Sequence, residues 1–177
     1  ATDSVGASTR ATLTITLPNV LGNGTWSVDA SGSWGDSSKW TSNFPANGAG
    51  NTADFSTLNI TSDQTVTLNA SRSIGTLKFG DTSGAENWLV DDSGGSTLNL
   101  EVTSGTANII VNQNSATVAT ALTGTQGITK SGPGRLVLAG SSTVSGTLYV
   151  DTNANPGDGG TTCAACVEVC PVSNNPA

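Results

Sequence analysis

The chain has 177 residues and a formal net charge of −7, with only 6 Lys plus Arg and no His. So few basic residues argue against binding to a nucleic-acid backbone or to an anionic membrane surface. The absence of His removes the commonest general base and the commonest metal ligand, and no apolar run is long enough to span a membrane.

The first predicted element is a strand over residues 10–17, RATLTITL, in which Leu13, Ile15 and Leu17 share one face and threonines the other. Residues 1–23 precede the repeat-like part of the chain and are predicted to form an N-terminal extension. The strand is long, alternating and almost uncharged, so it is a candidate for addition to the sheet of a neighbouring subunit. Packing on its own domain is the alternative.

The N-terminus also bears on location. There is no Met anywhere, not even at position 1. We therefore expect an exported chain whose signal peptide was removed before Ala1, located outside the cell or on its surface.

Five aromatic residues follow the extension within a short, Gly- and Asn-rich stretch: Trp26, Trp34, Trp40, Phe44 and Phe55. Such rings can stack on sugars. The favoured interpretation is a hydrophobic cap, because the first coil of a stacked fold would otherwise expose its core.

Short alternating segments separated by Gly- and Asn-rich turns continue to residue 150 and predict an all-β fold. The predicted strands are QTVTL (64–68), IGTLKF (74–79), STLNLEV (96–102), ANIIV (107–111), GRLVL (134–138) and GTLYV (146–150). The residues predicted to point inward are Leu77, Phe79, Leu98, Leu100, Ile109, Val111, Leu136, Leu138, Leu148 and Val150. Repeated short strands of similar length favour a β-solenoid over residues 24–150, with an antiparallel β-sandwich as the alternative.

The stretch GITKSGPGRLVLAGSSTVSGTLYV (127–150) resembles the autotransporter-associated β-strand repeat, also called the passenger-associated transport repeat. Residues 24–56, with their spaced Trp and Gly, and IGTLKFGDTSG (74–84) are similar to the opening coils of large surface proteins of this type. The resemblance covers about 24–150 and implies a short right-handed parallel β-helix exposed on, or released from, a bacterial surface.

Other motifs offer little chemistry. Three N-x-S/T sequons make Asn23, Asn59 and Asn69 candidate glycosylation sites. Two of the acidic residues Glu86, Asp91, Asp92 and Glu101 could form a glycosidase pair, but turn carboxylates in water are the simpler interpretation. No Ser-His or Cys-His nucleophile can form without His. We therefore assign no catalytic residue, no cofactor and no enzymatic activity.

Residues 151–177 are predicted to form a separate tail. Asp151, Asn153 and Asn155 are spaced like ligands of a calcium loop, but Pro156 replaces the required Gly, so a polar linker is favoured over calcium binding.

The tail also holds the three cysteines, Cys163, Cys166 and Cys170, in a C-x2-C-x3-C-P run similar to part of a ferredoxin motif. The fourth cluster ligand is missing, because Gly160 stands in its place. In an exported chain, disulfides are favoured, and the odd count indicates a bond to another chain.

Two functions follow from the sequence. The favoured one is a structural subunit that polymerises with copies of itself into an extracellular fibre or coat. The alternative is a module that binds or degrades carbohydrate, with surface glycans as partners.

Overall fold

The computed structural model describes residues 20–150 and 167–169, with side chains described for 20–149. In this part of the chain the strands are β1 (Gly24–Thr25), β2 (Gly32–Ser33), β3 (Thr52–Phe55), β4 (Gln64–Leu68), β5 (Arg72–Ile74), β6 (Thr76–Phe79), β7 (Trp88–Asp92), β8 (Thr97–Leu100), β9 (Ala107–Val111), β10 (Ser115–Val118), β11 (Ala121–Gly124), β12 (Ile128–Ser131), β13 (Arg135–Leu138), β14 (Thr143–Val144), β15 (Leu148–Val150) and β16 (Val167–Val169). Two 3-10 turns, Ser37–Lys39 and Thr41–Asn43, are the helical segments of the described residues.

The strands form three parallel sheets. Sheet A has the order β1-β3-β6-β9-β12-β15, sheet B has β2-β4-β7-β10-β13-β16, and sheet C has β5-β8-β11-β14. From β3 onward, successive strands along the chain belong to sheets A, B and C in turn, so each coil contributes one strand to each sheet, and about four coils are complete. Every ladder between named strands is parallel. The predicted β-solenoid is confirmed, and the described residues do not form an antiparallel sandwich.

Alternation along each strand builds the core. In sheet B, Val66 pairs with Val90, Val90 with Val118, and Val118 with Leu138. Buried and partly exposed residues alternate along these strands, because successive side chains point to opposite faces of a sheet. One side chain of each coil therefore stacks on its counterpart in the next coil.

Eight of the predicted inward residues are buried, with relative exposures of 0–6%: Leu77, Phe79, Leu98, Leu100, Ile109, Val111, Leu136 and Leu138. Leu148 also continues an inward row, but it is not buried. This residue pairs with buried Ile128 but remains 41% exposed. The side chain of Val150 lies outside the described residues.

The outward side chains connect one coil to the next through polar groups. On sheet C, the backbone N–H of Thr97 donates to Ser71 Oγ at 3.0 Å, and Asn99 Nδ2 donates to Ser73 Oγ at 3.3 Å. Thr123 Oγ1 then donates to Asn99 Oδ1 at 3.2 Å. The Ser-, Thr- and Asn-rich composition therefore provides short side chains that bridge neighbouring coils.

The turn after β12 requires glycine and buries a lysine. Gly132 has φ +80°, and a Cβ there would collide with the carbonyl oxygen of Val111 in the preceding coil. Lys130, which pairs with Ile109 on the inward face, is fully buried, and its Nζ donates to the carbonyl oxygens of Ser131 at 3.0 Å and Gly132 at 2.7 Å. Its position in the core was not predicted.

Candidate functional site: the two ends of the solenoid

Aromatic side chains close the N-terminal end of the solenoid. Trp26, Trp34 and Trp40 surround Phe55, with ring centroids 5.4–5.9 Å from the Phe55 ring. All four side chains are 0–2% exposed. The aromatic cluster predicted for this end of the solenoid is therefore present.

Two aromatic residues near the N-terminal end of the solenoid differ from the prediction. Phe44, which was assigned to the cap, is half-buried, covers Gly22 and makes no ring contact with the cluster in the described residues. Trp88, which was not predicted to be part of the cap, belongs to the cluster, and its ring centroid lies 5.5 Å from that of Phe55. Phe79 also joins it and stacks on Phe55 at 5.4 Å. The cluster therefore extends from the first coil into the third.

Three indole N–H groups donate hydrogen bonds to backbone carbonyl oxygens inside the protein. Trp34 Nε1 donates to the carbonyl oxygen of Ala46 at 2.9 Å, and Trp40 Nε1 donates to that of Trp34 at 2.8 Å. Trp88 Nε1 donates to the carbonyl oxygen of Gly80 at 2.8 Å. Because these rings are also almost inaccessible to solvent, they offer no free face for stacking on a sugar.

The C-terminal end of the solenoid has a different surface. Leu148 is 41% exposed and Tyr149 is 54% exposed, both on β15, the last strand of sheet A. Beside them is an apolar hollow, which we call the C-terminal hollow: Ile128, Leu138, Ser142, Val144, Gly146, Thr147 and Leu148 line it. Inward-facing side chains of the last coil line the hollow, and no further layer of described side chains covers them.

The sheets end differently at this point. Among the described residues, no strand pairs with the outer edge of β15 in sheet A or of β14 in sheet C. In sheet B, β16 pairs with β13, placing Val167 opposite Leu136 and Val169 opposite Leu138. Sheet B therefore includes a strand from the segment that was predicted to be a separate tail.

A polar groove runs along sheet C and contains residues from several coils: Leu21, Asn47, Gly48, Ala49, Ser71, Arg72, Ser73, Thr97, Asn99 and Glu101. Burial lowers the pKa of the Arg72 guanidinium, whose Nε makes no hydrogen bond to a described residue. One of its terminal nitrogens lies 3.4 Å from Asn69 Oδ1. Leu21 is 65% exposed beside this groove. The groove thus combines a half-buried cation with hydroxyl and amide groups.

The acidic residues considered as a catalytic pair belong to turns and outer faces. Asp92 Oδ1 accepts the backbone N–H groups of Gly94 and Gly95, and these bonds hold the pKa of the carboxyl below its ordinary value. Glu101 accepts a hydrogen bond from Asn99 on the outside of sheet C. No group of three or more acidic or cysteine residues that could hold a metal is found in the described part of the chain.

Two further buried atoms lack partners among the described residues. They are Trp26 Nε1, in the aromatic cluster, and Asp81 Oδ2, in the turn after β6. Neither atom is identifiable from the sequence, because a period-two pattern shows which face a residue occupies but not which atoms it meets there.

The candidate glycosylation sites Asn23, Asn59 and Asn69 are all exposed. Other predicted sites fall outside the described residues: Leu13, Ile15, Leu17, Asp151, Asn153, Asn155, Cys163, Cys166 and Cys170. The exchanged strand, the calcium loop and the disulfides therefore stay predictions.

In the described residues, no helix has the length and apolar character needed to cross a membrane. No protein-family model matches the chain, and neither a curated protein nor a solved structure gives a significant match.

Proposed function

We propose that the protein is a structural subunit of an extracellular bacterial fibre or surface coat, in which one subunit's C-terminal hollow accepts the N-terminal strand of the next. The observation that carries the proposal is the contrast between the ends. The N-terminal end is filled by aromatic rings, whereas at the C-terminal end Leu148 lines an open hollow and the adjacent Tyr149 is exposed. The resemblance of 24–150 to autotransporter-associated repeats supports the extracellular location.

The acceptor side is the outer edge of β15. Its residue Leu148 continues the inward row of Ile128, so a strand added beside it would set its own inward side chains over the hollow. An added strand would also satisfy the backbone groups of an edge that pairs with no described residue. Covering apolar side chains and pairing the backbone groups of an open edge are the usual contributions of strand addition.

The donor side is residues 10–17. In this segment Leu13, Ile15 and Leu17 alternate with threonines, the same arrangement that the inward and outward rows of the solenoid use. The apolar residues suit the hollow, and the threonines suit the outer face, where hydroxyl groups already link neighbouring coils.

Donation from one end to the other end of the next subunit is a heterologous contact, which extends into a filament unless the rotation closes a ring. The odd number of cysteines would allow a covalent link between subunits in addition to the strand contact. Low charge and a hydroxyl-rich outer face suit a chemically inert material, and we assign it no enzymatic activity.

The experiment compares four proteins by light scattering coupled to size exclusion and by negative-stain electron microscopy, with and without reductant. These are the full chain, a variant lacking residues 1–19, Leu148→Asp and Leu21→Asp. We expect filaments from the full chain and from Leu21→Asp, which serves as the control because Leu21 is exposed away from the hollow. The truncated chain and Leu148→Asp should stay monomeric.

A peptide of residues 8–19 adds a direct test. It should bind the truncated chain, whereas the same peptide with Leu13, Ile15 and Leu17 changed to Ser should not. A monomeric full chain under all conditions, or filaments formed equally well by Leu148→Asp, would contradict the proposal.

The second candidate function is glycan binding in the groove of sheet C. It is favoured by the unpartnered Nε of Arg72 and the exposed Leu21 beside hydroxyl and amide groups. A glycan array probed with the full chain and with Arg72→Gln tests it. Binding to acidic glycans that Arg72→Gln abolishes would support this function, and an array without signal would reject it.

A further inference from the structure

The turn between β6 and β7 holds a carboxylate with an unusual environment. Asp81 is 2% exposed, and its Oδ1 accepts the backbone N–H of Ile60 at 3.1 Å and of Ser83 at 3.3 Å. Its Oδ2 is buried and makes no hydrogen bond to a described residue. A buried acceptor without a partner costs about 1–3 kcal/mol, and more when it is charged.

A second carboxylate oxygen lies close to this atom. A Cβ atom placed on Gly84 would lie 3.0 Å from Asp81 Oδ2 and closer still to Glu86 Oε2. The distance between the two carboxylate oxygens is therefore less than twice 3.0 Å. Among the described residues, Glu86 Oε2 accepts a hydrogen bond only from the backbone N–H of Ala85, at 2.8 Å. Neither carboxylate forms an ion pair with another described residue.

Contacts to other coils hold the turn in this conformation. Gly84 has φ +114°, a backbone state that side-chain-bearing residues rarely adopt. Asn114 Nδ2, from the next coil, donates to the carbonyl oxygens of Gly84 at 3.4 Å and Glu86 at 3.1 Å. The Asp81 contact to Ile60 fixes the other side of the turn to the preceding coil. The two acidic groups are therefore kept near one another instead of separating into solvent.

We propose that Asp81 and Glu86 bind a calcium ion between Asp81 Oδ2 and Glu86 Oε2. Calcium holds oxygen ligands at about 2.3–2.6 Å, so a single ion spans oxygens up to about 5 Å apart. It also accepts backbone carbonyl oxygens and water in a flexible geometry, which suits an exposed turn. With two carboxylates the affinity belongs to the weak class of about 10⁻⁴–10⁻³ M that extracellular modules show.

Bound calcium would satisfy the buried Oδ2 and remove the repulsion between the two carboxylates. It would also link the turn to the coils on both sides, because Asp81 contacts Ile60 and the turn contacts Asn114. This site is separate from the calcium loop considered at Asp151, which lies outside the described residues, and it does not depend on the proposed function.

Thermal unfolding of the full chain in EDTA and in calcium provides the first measurement. At about ten times the dissociation constant, we expect calcium to raise the Tm by about 4 °C. Asp81→Asn and Glu86→Gln should lose this shift. Asp91→Asn and Glu101→Gln, which change other partly or fully exposed carboxylates, should keep it.

The EDTA arm separates binding from a purely structural role. Without calcium, Asp81→Asn should be at least as stable as the original chain, because the amide keeps the Oδ1 acceptor and removes one of the two neighbouring charges. An Asp81→Asn variant that is less stable than the original chain by the same amount in EDTA and in calcium would overturn the proposal.

Terbium luminescence provides a test of position. Trp88 Nε1 donates to the carbonyl oxygen of Gly80, the neighbour of Asp81, so an ion in this turn lies close to an indole donor. Excitation of tryptophan should give terbium emission that calcium displaces and that Asp81→Asn abolishes. Emission and Tm shift that survive in Asp81→Asn but vanish in Asp151→Asn would assign the ion to the tail and reject this site.

Discussion

Phe55 is the side chain on which the N-terminal end of the solenoid depends most. It is fully buried and contacts five aromatic rings at centroid distances of 5.4–5.9 Å. Replacing a buried Phe with Ala typically costs about 3–5 kcal/mol, a range that already includes lost ring contacts, and five such contacts place Phe55 at its upper end. We therefore expect Phe55→Ala to lower the free energy of unfolding by about 4–5 kcal/mol, a large part of the 5–15 kcal/mol typical of a domain.

Phe44 provides the matched control. It is half-buried and makes no ring contact with the cluster in the described residues. Fully burying such a side chain is worth about 1.5–3 kcal/mol, so half-burial predicts a loss of about 1 kcal/mol for Phe44→Ala.

Urea unfolding followed by two signals tests this reasoning. All 4 tryptophans contact Phe55 or belong to its cluster, so their fluorescence reports on the N-terminal coils, whereas far-UV circular dichroism reports on all three sheets. In Phe55→Ala, the fluorescence transition should move to lower urea than the dichroism transition, because solenoid coils depend mainly on their neighbours. A loss below about 1.5 kcal/mol, or one equal to that of Phe44→Ala, would refute the assignment of Phe55 as the centre of the cap.

The remaining predictions concern the core, a turn and acid stability. Leu136→Asp should unfold the chain, since a buried unpaired carboxylate costs several kcal/mol, and a folded, soluble variant by circular dichroism would show that the coil assignment is wrong. Gly132→Ala should lower the Tm by about 5 °C or more, because a Cβ there meets the Val111 carbonyl oxygen at φ +80°; an unchanged Tm would contradict this. Hydrogen bonds from the backbone N–H of Gly94 and, after it, of Gly95 lower the pKa of Asp92 below the ordinary value of 3.8. The ionised carboxylate therefore stabilises the folded chain above pH 3.8, and this stabilisation is lost as the pH falls through the pKa of the folded state. Asp92→Asn should therefore be less stable at pH 7, and its deficit should shrink on acidification below about pH 4, which unfolding at several pH values measures.

The alternation of apolar and polar residues in the sequence was sufficient to predict an all-β chain and the inward rows. This succeeded because the period of two is a local property of an extended backbone, set by the residue and its immediate neighbours. Val66 and Leu68 are buried on one face of β4 for the same reason that Leu136 and Leu138 are buried in β13.

The same pattern places Lys130 on the face of Ile128, but only the tertiary structure shows that the ammonium group meets the carbonyl oxygens of Ser131 and Gly132 inside the core. Leu148 has the right alternation and is exposed nonetheless, because burial also requires a layer above it. Asp81 lies in the turn after β6, and its hydrogen bond from the backbone of Ile60 joins it to the preceding coil. The exposure of Leu148 and the contacts of Asp81 depend on neighbouring coils, whereas the Lys130 ammonium group meets carbonyl oxygens of the turn that directly follows it. A period-two pattern shows which face a residue occupies, but not which layer covers it or which atoms it meets there.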